Sequence, residues 1–194
     1  MEWIKAITVT SLLAGATLTH ASNTHFGLQV GVASGGNTLG TVTYANHEQE
    51  DLDAGSGVFF GAYTLTPLNP NGLAMKVGIG YHSDDITASN GEASFSRFPI
   101  EALISQEGEK WQFGLGATYH LNPEYEANFT THDLIKADDT LGMVVEVNYK
   151  ILGKRLFGPS LQLGVRYTDI EYKFHGVTKK FDGSNLAAML SFTF

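Results

Sequence analysis

The segment WQFGLGATYHL alternates without a break. Trp111, Phe113, Leu115, Ala117, Tyr119 and Leu121 fall on one side of an extended chain, and Gln112, Gly114, Gly116, Thr118 and His120 on the other. Successive side chains of a strand point to opposite faces, so this is a strand with one apolar face and one small or polar face. LAMKVGIGYHS repeats the pattern, with Leu73, Met75, Val77, Ile79 and Tyr81 opposed to Ala74, Lys76, Gly78, Gly80 and His82. TLGMVVEVNYKI repeats it again, with Val145, Val147 and Tyr149 opposed to Glu146, Asn148 and Lys150. Weaker copies are FGLQVGVA from Phe26, GVFFGAYTL from Gly57, SRFPIEALI from Ser96, LQLGVRYT from Leu161 and the closing NLAAMLSFTF, which makes eight strands in all. A soluble sandwich would bury its apolar face and decorate the other with charge. Here the second face is crowded with Gly and Ala, as a narrow closed barrel requires of its interior.

The start of the chain says where such a barrel resides. Residues 1–21, MEWIKAITVTSLLAGATLTHA, join a lone Lys5 to an apolar run and end on Thr19-His20-Ala21, a small-x-small cleavage site. This reads as a cleaved secretory signal peptide, leaving residues 22–194 as one barrel domain. No later segment is apolar over the ~20 residues that a membrane helix needs, so the exported domain would cross a membrane by strands. The chain has no cysteine, and its formal net charge of -8 lacks the basic footprint of a nucleic-acid binder.

The connections fit. Those after the first, third, fifth and seventh strands are long and polar, as in SDDITASNGEA and NPEYEANFTTHDLIKADD, whereas PLNPNG, SQEGEK and LGKRLFGPS after the others are shorter. Short periplasmic turns and longer outer loops are the asymmetry of an up-and-down outer-membrane barrel. The strand directions assign Phe26, Tyr63, Trp111, Phe113, Tyr149 and Phe194 to a periplasmic aromatic girdle, and Phe59, Tyr81, Phe98, Tyr119 and Tyr167 to an outer one. One stretch, TLGTVTYANHEQ from Thr38, has strand composition within the first long loop. A ten-stranded barrel is therefore the alternative to eight.

The signal peptide, the loop asymmetry and an ending that alternates through Leu186, Ala188, Leu190, Phe192 and Phe194 resemble the small outer-membrane β-barrels of Gram-negative bacteria. DAGSGVFFGAYTL, GVRYTDIEYKF and DGSNLAAMLSFTF are similar to the YfaZ-like barrels, and more distantly to the OmpA, OmpX and Ail type. The resemblance implies an integral protein of the outer membrane, surrounded by its lipids and lipopolysaccharide. It also implies that the outer-membrane assembly machinery reads Leu190, Phe192 and Phe194. It names an architecture and no activity.

Five charged residues face inward by strand parity: Lys76, Arg97, Glu101, Glu146 and Arg166. On the lipid face a mid-depth Lys or Arg costs ~2–4 kcal/mol, and inside the barrel desolvation penalises any charge left unpaired. The heights along the strands predict a Lys76–Glu101 pair and a second pair of Arg97 or Arg166 with Glu146. Such a network would plug and brace the lumen; the alternative is a gate for a small-solute channel. Catalysis is not expected. A lipid A-modifying enzyme needs a His, a hydroxyl and a carboxylate converging on one face, and the candidates His82 and Ser83 are adjacent, hence on opposite faces. No metal or cofactor is expected either: the acidic loops, with His47, Glu48, Glu50, Asp51 and Asp53 in the first and Glu124, Glu126, His132, Asp133, Asp138 and Asp139 in the third, lack a Ca²⁺-loop spacing. They read as solvated, exposed acidic loops. Lys173, His175, Lys179 and Lys180 of the fourth loop would meet either lipopolysaccharide phosphates or those acids. The reading is a monomeric barrel with a structural or binding role. Deleting Phe194 should lower the yield of assembled protein, measured as the fraction that keeps its folded mobility on an unheated gel, more than it alters any activity.

Overall fold

The computed structural model describes residues 24–44, 49–88, 91–129, 132–153 and 155–194. The signal-peptide reading of residues 1–21 lies outside them, as do His47 and Glu48 of the first loop. The strands in chain order are β1 (His25–Ser34), β2 (Thr38–Thr43), β3 (Gln49–Asp53), β4 (Gly57–Pro67), β5 (Leu73–Ala88), β6 (Gly91–Glu107), β7 (Trp111–Asn128), β8 (His132–Lys136), β9 (Thr140–Leu152), β10 (Ser160–Asp169), β11 (Glu171–Lys173), β12 (Lys180–Asp182) and β13 (Asn185–Thr193). Eight of them form the wall in the order β6-β5-β4-β1-β13-β10-β9-β7, and the antiparallel β6–β7 pairing closes it. All eight are the strands that alternate in the sequence.

The first and last strands meet in register from Gly27 opposite Thr193 to Ser34 opposite Leu186. The terminal residue takes part: the Phe194 N–H donates to the Phe26 carbonyl at 2.8 Å, and the Phe26 N–H to the Phe194 carbonyl at 3.1 Å. Closure leaves the wall without a free edge, which a sheet in hydrocarbon cannot tolerate. The alternating apolar residues then face outward and stay exposed, among them Leu28 and Val32 of β1, Ile79 of β5, Leu115 of β7, Met143 of β9, Leu163 of β10 and Leu186 of β13.

The aromatic girdles need two corrections. Tyr63 and Phe59 are buried, not on the rims. In GVFFGAYTL the outward positions are Val58, Phe60 and Ala62, so Phe59, Tyr63 and Leu65 turn into the barrel. Glycine on the neighbouring strand makes room for them. Gly27 lies opposite Tyr63 and Gly31 opposite Phe59, and a Cβ at either glycine would overlap the ring. The small inward residues are thus placed where a large one comes across from the next strand. Of the remaining girdle aromatics, Phe26, Trp111, Phe113, Tyr149 and Phe194 at one rim and Phe98 and Tyr167 at the other are exposed, and Tyr81 and Tyr119 are half-buried.

The stretch from Thr38 does not join the wall. It forms β2, which pairs with β3 as a separate hairpin, so the barrel has eight strands and not ten. The long connections are also not merely solvated loops. β5, β6 and β7 continue past the outer aromatic rim, β8 adds to β7, and β11 pairs with β12. These pieces enclose an apolar cluster of their own, with Leu52, Ala54, Phe95, Ile170 and Tyr172 almost wholly buried. The polar composition concealed it because each connection supplies only two or three buried apolar residues to the shared centre. We refer to this folded outer portion as the cap.

Truncating Leu52 to Ala removes a fully buried side chain from the cap and none from the wall. A cavity of that kind costs about 2–5 kcal/mol. The expected result is faster protease cleavage within residues 38–53, while the barrel keeps its folded mobility on unheated gels.

Candidate functional site

The barrel interior is where strand parity concentrates ionisable groups. Lys76, Glu101, Glu146 and Arg166 are all buried, on β5, β6, β9 and β10. Lys76 Nζ donates to both carboxylate oxygens of Glu146, at 2.8 and 3.0 Å. Arg166 donates in a two-pronged fashion to Glu101, at 2.9 and 2.7 Å, and its Nη2 also reaches Glu146 Oε2 at 3.1 Å. Glu146 is therefore shared between two cations, and the chain Lys76–Glu146–Arg166–Glu101 ties four strands together across the lumen. Planar, bidentate Arg–carboxylate geometry is the strong form of such a contact.

Of the pairings expected from the sequence, Arg166–Glu146 is present, and the Lys76–Glu101 pair is replaced by Lys76–Glu146. Register explains the exchange. Lys76 lies opposite Leu103 and Glu101 opposite Gly78, so the two are not cross-strand neighbours. The Lys76 ammonium, 4.6 Å from the centre of the Tyr63 ring, reaches across a narrow lumen instead of along its wall. Gly114, opposite Glu146 on β7, again provides the space: a Cβ there would press on the Glu146 side chain.

Arg97 stands apart from this network. It is fully buried near the junction of lumen and cap, where its Nη2 lies 3.0 Å from His82 Nε2 and donates to the Ser56 carbonyl at 3.3 Å. Its guanidinium lies over the Phe95 ring at 4.8 Å. The bulge that shifts the β6–β7 register between Ser96 and Phe98 falls at this residue, above the level at which Glu146 is reached. Beside it, His120 Nδ1 and the Tyr172 hydroxyl are 2.6 Å apart, which fastens the cap to the wall. Burial pushes the Tyr172 phenol up to about 12, so it is neutral at any physiological pH.

A second buried pair escaped the sequence reading. Lys150 Nζ is 2.9 Å from Glu107 Oε2 near the short turns, and Gln112 donates to Glu107. Lys150 also donates to the carbonyls of Gly108, Arg155 and Leu156. Glu107 lies in SQEGEK, which reads as a turn. Carrying the parity of Arg97 and Glu101 on through Leu103 and Ser105 would have assigned it inward, because β6 runs to that residue.

His82 and Ser83 do not converge. The imidazole meets Arg97 and the Phe59 ring, whereas the Ser83 hydroxyl donates to Asp85 at 2.8 Å. The outer acids engage local partners: Thr41 donates to Asp51, Thr38 to Asp53, ion pairs join Lys136 to Glu124 and Lys180 to Glu171, and His175 Nε2 lies 3.0 Å from Asp138 Oδ1. Lys180 and His175 of the fourth loop thus meet acids of the cap. The Ser184 hydroxyl and N–H hold the Asp182 carboxyl below its ordinary range. Among the described residues no three His, Cys, Asp or Glu side chains gather as a metal site.

Replacing Glu146 by Gln removes the charge that both Lys76 and Arg166 face. Breaking a buried ion pair from one side costs about 3–5 kcal/mol. The urea midpoint for unfolding from lipid vesicles should fall accordingly, and Glu171→Gln, at an exposed pair, should leave it unchanged.

No protein-family model matches the chain, and no curated protein matches its sequence. Solved structures do match. The crystal structure of Neisserial surface protein A (NspA) superposes with a TM-score of 0.50 at 14% identity, covering 89% of this chain and 98% of that one. Ail, the attachment invasion locus protein of Yersinia pestis, crystallised with the heparin analogue sucrose octasulfate, superposes with a TM-score of 0.56 at 10% identity, covering 89% and 99%. At such identities the likeness is one of fold, and the fold is the closed eight-stranded antiparallel barrel of small outer-membrane proteins.

Proposed function

We propose that this chain is an integral, monomeric outer-membrane barrel whose lumen is plugged, and that it has a structural or binding role carried by its folded cap, without catalysis. The observation that carries this reading is the chain Lys76–Glu146–Arg166–Glu101, in which buried charges on four strands satisfy one another across the interior. Each would have to be desolvated alone if a solute displaced its partner. The Glu107–Lys150 pair below and the apolar cluster of the cap above add to the obstruction.

The same reading sets the exposed apolar belt in outer-membrane lipid, with lipopolysaccharide around the cap. It has the assembly machinery recognise Leu190, Phe192 and Phe194, of which Leu190 and both Phe side chains face outward. Ail carries a sulfated sugar in its crystal. The cap described above is rich in carboxylates, so a polyanion is not the ligand expected for this chain. No observation favours a lipid A-modifying activity, since His82 and Ser83 have separate partners.

Conductance in planar lipid bilayers tests the plug. Purified, folded protein should give a flat current trace at moderate voltage, and sustained, protein-dependent single-channel steps would replace this reading with the channel.

A further inference from the structure

Pro99 interrupts the wall. The β5–β6 ladder pairs Ile79 with Ile100 and His82 with Arg97 in one register, but lapses between them, where Gly80 and Tyr81 face Pro99 and Phe98. Proline has no N–H, and on its other side Pro99 keeps its pairing with His120 of β7. Opposed residues of an antiparallel ladder exchange their bonds in alternate pairs, so the donor missing here is the one that the Gly80 carbonyl would receive.

That carbonyl borders an apolar groove. The outer surface beside it has a hollow of about 940 Å³, which Gly80 lines together with Phe60, Ala62, Ile79, Tyr81 and Phe98. Register explains its course. Gly80 stands opposite Gly61, Gly61 opposite Gln29 and Gln29 opposite Ser191, a row in which side chains are absent or buried inside the barrel. The hollow follows this row from Phe98 of the outer girdle across β5, β4 and β1 to Phe192 of β13. Four strand spacings of ~4.8 Å make it roughly 19 Å long. Along its upper side Phe60, Tyr81 and Phe98 contact one another, with ring centroids 5.7 and 5.1 Å apart. On its lower side the small Ala62, opposite Ile79, keeps the groove open.

A carbonyl without a donor is costly in hydrocarbon. The groove itself offers no donor, and neither does a lipid chain that is hydrocarbon throughout. A hydroxyl on such a chain does. Height sets its place on the chain: Gly80 adjoins Tyr81 of the outer girdle, where headgroups begin, so the hydroxyl lies near the polar end of the chain. We infer that this groove binds an outer-leaflet lipid with a hydroxyl close to its headgroup, as in a 3-hydroxyacyl chain, the hydroxyl donating to the Gly80 carbonyl and the chain lying along the row. The inference rests on the reading that the apolar belt stands in lipid, and not on the plug. Conductance leaves it untouched, whereas a barrel that stays folded and dispersed without detergent would remove the lipid reading itself.

The test is native mass spectrometry of the mature barrel in detergent micelles that hold equal amounts of two phosphatidylethanolamines. They differ in one chain, 3-hydroxytetradecanoyl in the first and tetradecanoyl in the second. The unaltered protein should retain the hydroxylated lipid about fivefold more, the effect of one hydrogen bond. Pro99→Ala restores the N–H and should bring the two to equal retention, with folded mobility on unheated gels preserved. Ala62→Phe fills the middle of the groove and should lower the retention of both. Equal retention by the unaltered protein would overturn the inference; it is the result expected if a water in the lumen cavity of about 20 Å³ beside Gly80 and Pro99 supplies the donor. So would a preference that survives Pro99→Ala, retention indifferent to Ala62→Phe, or a dimer of the chain in place of bound lipid.

Discussion

Backbone closure is the constraint on which everything else in this molecule depends. Inside hydrocarbon an unpaired N–H or C=O costs several kcal/mol, so a sheet there must have no edge. The β1–β13 ladder, continued to the last residue by the reciprocal Phe26–Phe194 bonds, and the β6–β7 ladder on the opposite side meet that requirement. Once the wall is closed, parity does the sorting. Every second residue is delivered to the outside of the barrel and every other one to a space too narrow to be filled freely.

That narrowness governs the interior. Large inward side chains are accommodated across from glycine, as with Tyr63 and Gly27, Phe59 and Gly31, and Glu146 and Gly114. Charges held at such close quarters cannot be solvated individually. They settle into a shared arrangement in which Glu146 serves two cations and Arg166 two carboxylates. Arg97 shows the other solution open to a buried guanidinium, with an aromatic face, an imidazole nitrogen and a backbone carbonyl in place of a carboxylate.

The cap follows different rules because its segments enclose an apolar centre and not a charged one. Its apolar cluster is assembled from segments far apart in the chain, Leu52 from the first connection, Phe95 from the second and Tyr172 from the fourth, and the Tyr172–His120 contact ties it to the barrel. The connections of such a barrel need not be irregular loops. Here a hairpin laid over extended wall strands creates both an ordered roof and a pocket beneath it.

The eight wall strands and the closed barrel they form were legible in the sequence, because alternation is a local property and one face had to be apolar. So was the inward course of Lys76, Glu101, Glu146 and Arg166; that of Glu107, in a stretch that reads as a turn, was not. The Arg166–Glu146 pair of neighbouring strands was legible too, whereas the partner of Lys76 was decided only in three dimensions, since Lys76 and Glu146 are 70 residues apart and meet through the curvature of the wall. The inward turn of Tyr63 and Phe59 likewise depended on glycines of another strand. Residues 38–43 showed strand composition, but their pairing with 49–53 outside the wall and the core of the cap were decided in three dimensions, because short alternations such as Ile170, Tyr172 and Phe174 do not say which distant segments they meet. Strand parity, being set by the covalent geometry of the backbone, belongs to the sequence; partner choice, being set by which side chains the closed wall brings within reach, belongs to the tertiary structure.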